Sequence, residues 1–269
     1  MKTLTLRKIF TSQAKPKLYV PSRGPSLIWK TGDNLFADLS VMFMGEYLNH
    51  LWSKHKVNIQ MQTYGIFPCG SDRGFIECVD NVCAVREYDF EQLKCSDSFL
   101  ASLSGACLIG WVLGIRDRHQ DNQLIVSTKS DNLVLPIDFG FLFNTGPMID
   151  APRISFPNRM VEQMRAQKTL KKFVLLTVSG FEVLWDNQEA IMRLGEYLFP
   201  VQFCQYFFSK DSFFALPKST ASSSFETKLK KRVVEGKGLK HWLKDMAHNS
   251  KISLSNSRLS PSMSRPTGI

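Results

Sequence analysis

Nothing in this chain reads as a membrane span, a disulfide framework, a zinc site or a repeat array. The longest apolar run, Ala106 to Ile115, is too short to cross a bilayer. The opening MKTLTLRKIF lacks the apolar stretch of a secretion signal. The cysteines, Cys69, Cys78, Cys83, Cys95, Cys107 and Cys204, form no CxxC pair and show no zinc spacing. Most stand in apolar runs, which predicts reduced core thiols and a cytosolic setting.

What is present points to an enzyme-sized core with an acidic partner. The 269 residues suffice for one two-lobed domain or two small ones, and 43% hydrophobic residues with 20 Phe can fill a sizeable interior. A formal charge of +10 favours phospholipid head groups, nucleotide or nucleic acid.

Periodicity divides the chain into a strand-rich start and a helical remainder. KLYV and SLIWK read as strands. Leu35 to Trp52 carries apolar residues at helical spacing, with Asp33 and Asn34 as candidate caps. Short strands are expected at Asn58–Gln62, Gly65–Phe67 and Phe75–Val79. The run SDSFLASLSGACLIGWVL predicts a buried helix capped by Ser96 or Asp97. Further helices are expected over Asn158–Thr177, Asn187–Leu198 and Pro200–Phe208, a small-polar linker over Pro217–Ser224, and a basic helix over Glu226–Asn249. The Ser-rich end, 251–269, is expected to be disordered.

Gly114 to Phe143 is the segment richest in chemistry. It holds Asp117-Arg118-His119, an Asn three residues after the His, and Asp138-Phe139-Gly140 starting sixteen residues after that Asn. Phosphoryl transfer uses such groups. One Asp or His handles the acceptor proton, while an Asn and a second Asp hold magnesium against nucleotide phosphates. The apolar runs QLIVS and LVLPI, split by the polar TKSDN, predict a hairpin that sets the spacing of the two metal ligands.

GIRDRHQDN followed by PIDFG resembles the catalytic loop and metal motif of the phosphatidylinositol 3- and 4-kinase family and its protein-kinase relatives. LIWKTGDNLFADL is similar to that family's lysine strand and the opening of its long lobe helix. HLWSKHKVNIQMQTYG and GFIECVDN resemble the helix end, the Tyr-Gly strand and the hinge, so the resemblance covers about residues 12 to 165. It implies an α+β, two-lobed protein-kinase-like fold. The small antiparallel-sheet N-lobe would span 1–83 and a mostly helical C-lobe 84–250, followed by the tail 251–269.

The resemblance also implies roles. Asn122 and Asp138 would hold Mg2+ or Mn2+ between the phosphates of ATP, as hard oxygen ligands. Asp117 and His119 are both candidates for moving the inositol hydroxyl proton. Arg118 would brace the loop. Lys30 would contact the α-phosphate, oriented by Asp38. Ser12, in a turn running to Pro16, would cover the phosphates. Glu77 and Val79 stand where the hinge backbone pairs with adenine, and Tyr64, Leu124 and Ile137 would line the purine slot. Four departures stand out. Asn34 replaces an Asp, Phe36-Ala37 replaces Arg-Gln, and Arg116 replaces a Gly before the catalytic Asp. In addition, Pro21–Ser26 leaves little room for a nucleotide-covering hairpin.

Phe141 to Pro157 stands where the family reads the lipid head group, and it holds a single Arg, Arg153, with one Asp, Asp150. Phosphorylated inositides would require more cations there, so the expected substrate is unphosphorylated phosphatidylinositol in anionic membranes. Motif details, including VEQM, are nearest to class III phosphatidylinositol 3-kinases and favour ring position 3 over 4. Leu239, Trp242, Leu243 and Met246, ringed by lysines, form a stripe suited either to a lipid interface or to packing on the lobe. The overall expectation is a cytoplasmic, peripherally membrane-associated lipid kinase with a possible regulatory protein subunit and no nucleic-acid partner. The alternatives are a phosphatidylinositol-kinase-like serine/threonine protein kinase and a nucleotide-binding pseudokinase scaffold.

Overall fold

The computed structural model describes residues 3–11, 14–146, 154–200, 202–210, 212 and 214–235. It opens with β1 (Leu4–Ile9), β2 (Lys17–Pro21) and β3 (Leu27–Thr31), followed by the long helix α1 (Leu35–Lys54). β4 (Ile66–Pro68) and β5 (Arg73–Glu77) complete a five-stranded antiparallel sheet in the order β1-β2-β3-β5-β4. The chain then crosses through Cys78–Asn81 to β6 (Val82–Ala84), which pairs with β7 (Gln123–Ser127). β7 in turn pairs with β8 (Asn132–Pro136). Helices α2 (Asp97–Val112), α3 (Asn158–Ala166), α4 (Leu170–Asp186), α5 (Gln188–Leu198), α6 (Gln202–Phe207) and α7 (Lys218–Glu235) build the second lobe.

Two helices carry the packing. In α1 the Asn34 side chain accepts the Phe36 N–H and caps the first turn. One face then buries Leu35, Val41, Met44, Leu48 and Trp52. Trp52 Nε1 donates to the Gly180 carbonyl at 3.1 Å, which brings α1 against α4. Gly180 lets the helices approach closely: a Cβ there would stand 2.3 Å from Ile59 Cδ1 and force that side chain to shift. α2 is capped by Ser96, which accepts the Phe99 N–H, and is buried on nearly every face. Its Ser102 hydroxyl donates to the Phe99 carbonyl and accepts the Val134 N–H at 2.9 Å, seating the helix on β8. Ser104 and Thr177 share a buried hydrogen bond of 2.8 Å that joins α2 to α4.

Several expectations need correction. Asn58–Gln62 is extended but joins neither sheet; its Met61 N–H and carbonyl pair with the Asn49 side chain instead. The single helix expected over Asn158–Thr177 is two, broken at Lys168, whose φ of 57° no continuous helix allows. Pro217–Ser224 is no linker: from Lys218 it is helical, because Ala221, Phe225 and Leu229 place a buried stripe on the lobe. Of the six cysteines, all free, only Cys95 and Cys107 are buried, so the core reading fails for the other four. The short stretch Pro21–Ser26 does not forbid a covering hairpin, since β1 and β2 supply one upstream. The stripe around Trp242 and the tail 251–269 lie outside the described residues.

Candidate active site

The floor of the site is the loop joining α2 to β7. Asp117 stands in the left-handed region, at φ 62°, which a short polar side chain tolerates. Its carbonyl accepts the His119 N–H at 3.0 Å and Asn122 Nδ2 at 3.0 Å. The Asn122 N–H donates in turn to the His119 carbonyl at 3.1 Å. The loop therefore folds on itself and gathers Asp117, His119 and Asn122 within one turn.

Asn122 and Asp138 are brought together by backbone. The Ile137 N–H donates to the Asn122 carbonyl at 3.2 Å, which places the next residue, Asp138, beside the loop. Arg118, buried as expected of a brace, donates to the carbonyls of Arg116, Asn122, Ile137 and Asp138. Its guanidinium also lies over the Phe139 ring, 5.4 Å from the centroid. Asp138 itself has φ 58° and is exposed.

The roof is β3 and α1. Lys30 pairs in register with Gly74 of β5, and its ammonium meets Asp33 at 2.6 Å. Burial works against the charged ammonium, but Asp138, Asp33 and Asp38 outweigh it and raise its pKa. The cation of the roof and the carboxylate of the floor thus share one cleft. The expectation that Asp38 orients Lys30 needs correction, because Asp33 makes that ion pair. Asp38 instead accepts the Phe139 N–H at 3.1 Å, tying α1 to the metal motif. Burial pushes its carboxyl up to about 6, against the pull of the Phe139 amide and Lys30.

The hinge side is built from β5 and its neighbours. Glu77 spends its N–H on the Gly65 carbonyl and its Oε2 on the Gly65 N–H, both at 2.8 Å. The Cys78 N–H goes to the Ser26 carbonyl at 2.8 Å. Tyr64 lies within the field of Asp38, Arg118 and Asp138, and burial above all pushes its phenol well up. In β7, Ile125 turns inward to the core, so strand alternation sends Leu124 to the other face with Leu135 and, two residues on, Ile137. Ser12 lies outside the described residues, as do Asp150 and Arg153.

One group was missed. Arg86 Nε grips both oxygens of Asp121 at 2.8 and 2.9 Å. The Asp121 N–H donates to His119 Nδ1 at 3.2 Å, and His119 Nε2 lies 3.8 Å from Asp117 Oδ2. Asp121 was visible inside the DRHQDN run. Arg86 sits in a loop 35 residues upstream of Asp121, with no periodicity to mark it.

The residues present fit a magnesium ion. Asn122 commits its Nδ2 to the Asp117 carbonyl, which would leave Oδ1 to face a cation, and Asp138, which follows the residue bonded to the Asn122 carbonyl, is exposed. Among the described residues no cluster of three or more His, Cys, Asp or Glu could hold a metal. Magnesium does not need one, since one or two side chains plus substrate phosphates are its usual protein setting.

An antiparallel roof bearing a lysine, above a floor bearing DRH, Asn and DFG, defines a two-lobed kinase-like domain. The chain is similar to phosphatidylinositol 3- and 4-kinases, whose family model matches residues 86–199. It is 24% identical over 195 residues to the phosphatidylinositol 3-kinase catalytic subunit type 3 of Caenorhabditis elegans, covering 63% of this chain and 21% of that protein. It is 31% identical over 161 residues to the phosphatidylinositol 3-kinase piki-1 of the same organism, covering 49% and 10%. Against phosphatidylinositol 3-kinase VPS34 of Saccharomyces cerevisiae it is 25% identical over 192 residues, covering 63% and 22%. The chain thus spans about a fifth or less of these relatives' lengths.

Proposed function

We propose that this chain is an ATP-dependent lipid kinase that phosphorylates the inositol ring of phosphatidylinositol, at position 3 in preference to 4. The observation that supports the reading is that the Asp138 charge acts on the Lys30 ammonium while the Ile137 N–H ties the segment before Asp138 to Asn122, whose side chain bonds the Asp117 carbonyl. The preference for position 3 is supported by the names of the relatives and by motif details such as VEQM, while the low charge of the segment after the metal motif supports an unphosphorylated substrate.

Magnesium bound by Asn122 Oδ1 and Asp138 would neutralise charge on the β- and γ-phosphates. Lys30, held by Asp33, would fix the α-phosphate. Adenine would pair with the Glu77 carbonyl and Val79 N–H, between Tyr64 on one side and Leu124 and Ile137 on the other. Because His119 Nδ1 accepts the Asp121 N–H, the neutral ring carries its proton on Nε2, facing Asp117. That tautomer leaves the Asp117 carboxylate to receive the inositol hydroxyl proton, with His119 steadying it. No helix of the described residues is long and apolar enough to cross a membrane. On this reading the protein works peripherally on an anionic cytoplasmic leaflet, a placement supported by its +10 charge.

The test is incubation with labelled ATP, magnesium and vesicles containing phosphatidylinositol, followed by chromatography of the deacylated product. Labelled 3-phosphate is the expected result, and Asp138→Ala should lower it by at least about 10³-fold with the fold intact. Label on protein would point to a protein kinase. ATP binding without turnover would make the chain a pseudokinase. Unchanged labelling in Asp138→Ala would remove the assigned metal role.

A further inference from the structure

The five-stranded roof has two faces, and they are finished differently. Lys30 and Gly74, opposite each other in β3 and β5, belong to the face above the cleft. α1 closes on that side, since a Cβ on Gly74 would stand 2.9 Å from Leu35 Cδ1. The outer face carries Phe67, Phe75, Trp29 and Tyr19 on four successive strands. Trp29 and Tyr19 meet the Phe75 ring at centroid distances of 4.7 and 6.4 Å, and Phe67 is 55% exposed.

β1 extends this aromatic row to the sheet edge by means of a bulge. Leu4 and Leu6 stand opposite Pro21 and Tyr19, the ladder then skips Arg7, and Ile9 stands opposite Lys17. Without the extra residue Ile9 would alternate to the cleft side. With it, Leu4, Leu6 and Ile9 all join the outer face, where each is about half exposed. Four strand spacings of about 4.8 Å, along strands of five residues, give roughly 300 Å² of apolar face. A patch of that size commonly marks an interaction site, and a sheet with such a face is ordinarily covered by a second layer.

The charge around the patch selects what covers it. Arg7 and Lys17 on the strands, and Lys15 and Arg23 in the turns at the two ends of β2, are all exposed. The first 32 residues hold seven Lys and Arg and no acid. Of the acids on β5 and its turn, Glu77 accepts the Gly65 N–H at 2.8 Å and Asp72 pairs with Arg73 at 3.0 Å. A second copy would set two lysine-bearing faces against each other, and would need about 800 Å² from each partner. The chain's own stripe from Leu239 to Met246 is ringed by lysines and brings the same sign. A membrane would meet the apolar side chains. However, Trp29 and Lys30 point to opposite faces, so on the proposed function the sheet would then stand between lipid and cleft.

We propose that the outer face of the roof is a docking surface for a separate acidic protein, which lays a pair of amphipathic helices across it. Two helices of about 10 Å diameter match the roughly 19 Å between β1 and β4. Their apolar stripes cover the row from Leu6 to Phe67, and carboxylates at their margins meet Arg7, Lys15, Lys17 and Arg23.

The test titrates the full chain calorimetrically with a synthetic helical hairpin that has leucines on its apolar face and glutamates at its margins. Binding is the expected result. Leu6→Glu and Phe67→Glu, at opposite edges of the face, should each weaken it at least about tenfold while matching the parent in thermal unfolding. A hairpin with lysines at its margins should bind the parent at least about tenfold more weakly, and Lys17→Glu should narrow that gap. Self-association of the parent that Phe67→Glu abolishes would assign the face to a second copy. Flotation with phosphatidylserine vesicles that Phe67→Glu abolishes would assign it to a membrane. Hairpin binding seen only in Trp242→Glu/Leu243→Glu would assign it to the chain's own end. Any of these three results overturns the docking surface, as does equal titration by the parent and both face variants, or no binding at all. None of the readouts depends on kinase activity.

Discussion

The two sheets of this protein are built to opposite standards. In the five-stranded roof, every residue of β1 is exposed, including Leu4 at 49% and Leu6 at 48%. In the three-stranded floor, Ile125 and Val134 are fully buried, and a buried serine of α2 bonds directly to the β8 backbone. Little apolar area holds the outer edge of the roof. The floor carries the residues to which the proposed function gives the metal and the proton, and on that reading their spacing cannot drift without loss of chemistry.

The largest expected effect comes from the floor. Phe139→Ala removes a fully buried ring and the surface on which Arg118 lies, and should cost about 3–5 kcal/mol in urea unfolding. A loss no larger than that of a surface substitution would erase the contrast between the sheets.

Next is the seam where the roof helix meets the floor. The Asp38 carboxyl is raised from 3.8 to about 6, so the folded state prefers it protonated. In metal-free protein this stabilisation is full below pH 4 and is lost as pH rises through 6, by on the order of 2 to 3 kcal/mol. Asp38→Asn keeps an acceptor for the Phe139 amide and should flatten that pH profile. An unchanged slope would show that Asp38 titrates as an ordinary carboxyl.

A smaller effect is expected at the edge of the floor. Arg86→Gln should lower kcat by about tenfold and alter the pH profile while leaving KM for ATP unchanged, because it loosens Asp121 and hence His119. A pH profile identical to the parent's would reduce Arg86 to a structural ion pair. The smallest belongs to the roof: Leu6→Ser should shift stability by less than about 0.5 kcal/mol. A cooperative loss there would mean that the roof is as firmly built as the floor.

The floor was also the more legible of the two in the sequence. QLIVS and LVLPI announced their hairpin because a polar turn separates two apolar runs, and Ser96 announced α2 by capping it. Asn122 and Asp138 stood out because motif spacing survives translation into backbone hydrogen bonds. The break at Lys168 gave no signal, since a left-handed lysine carries none of glycine's punctuation. Composition misled at Pro217–Ser224, where three buried residues outweighed a run of Ser and Thr. The partner of Lys30 was misassigned because Asp33 and Asp38 both lie within reach in sequence. Only the Asp38 bond to Phe139, 101 residues away, separates their roles.

Both aspartates of the proposed reaction centre hold a backbone twist that favours glycine, φ 62° at Asp117 and φ 58° at Asp138. Glycine at either position would delete the working oxygen and relax the main chain together, by up to about 1 kcal/mol. Pressure to stay folded and pressure to turn over substrate therefore pull in opposite directions at these two positions. On the proposed reading, a descendant silenced by such a glycine would inherit the same body, slightly sturdier than its parent's.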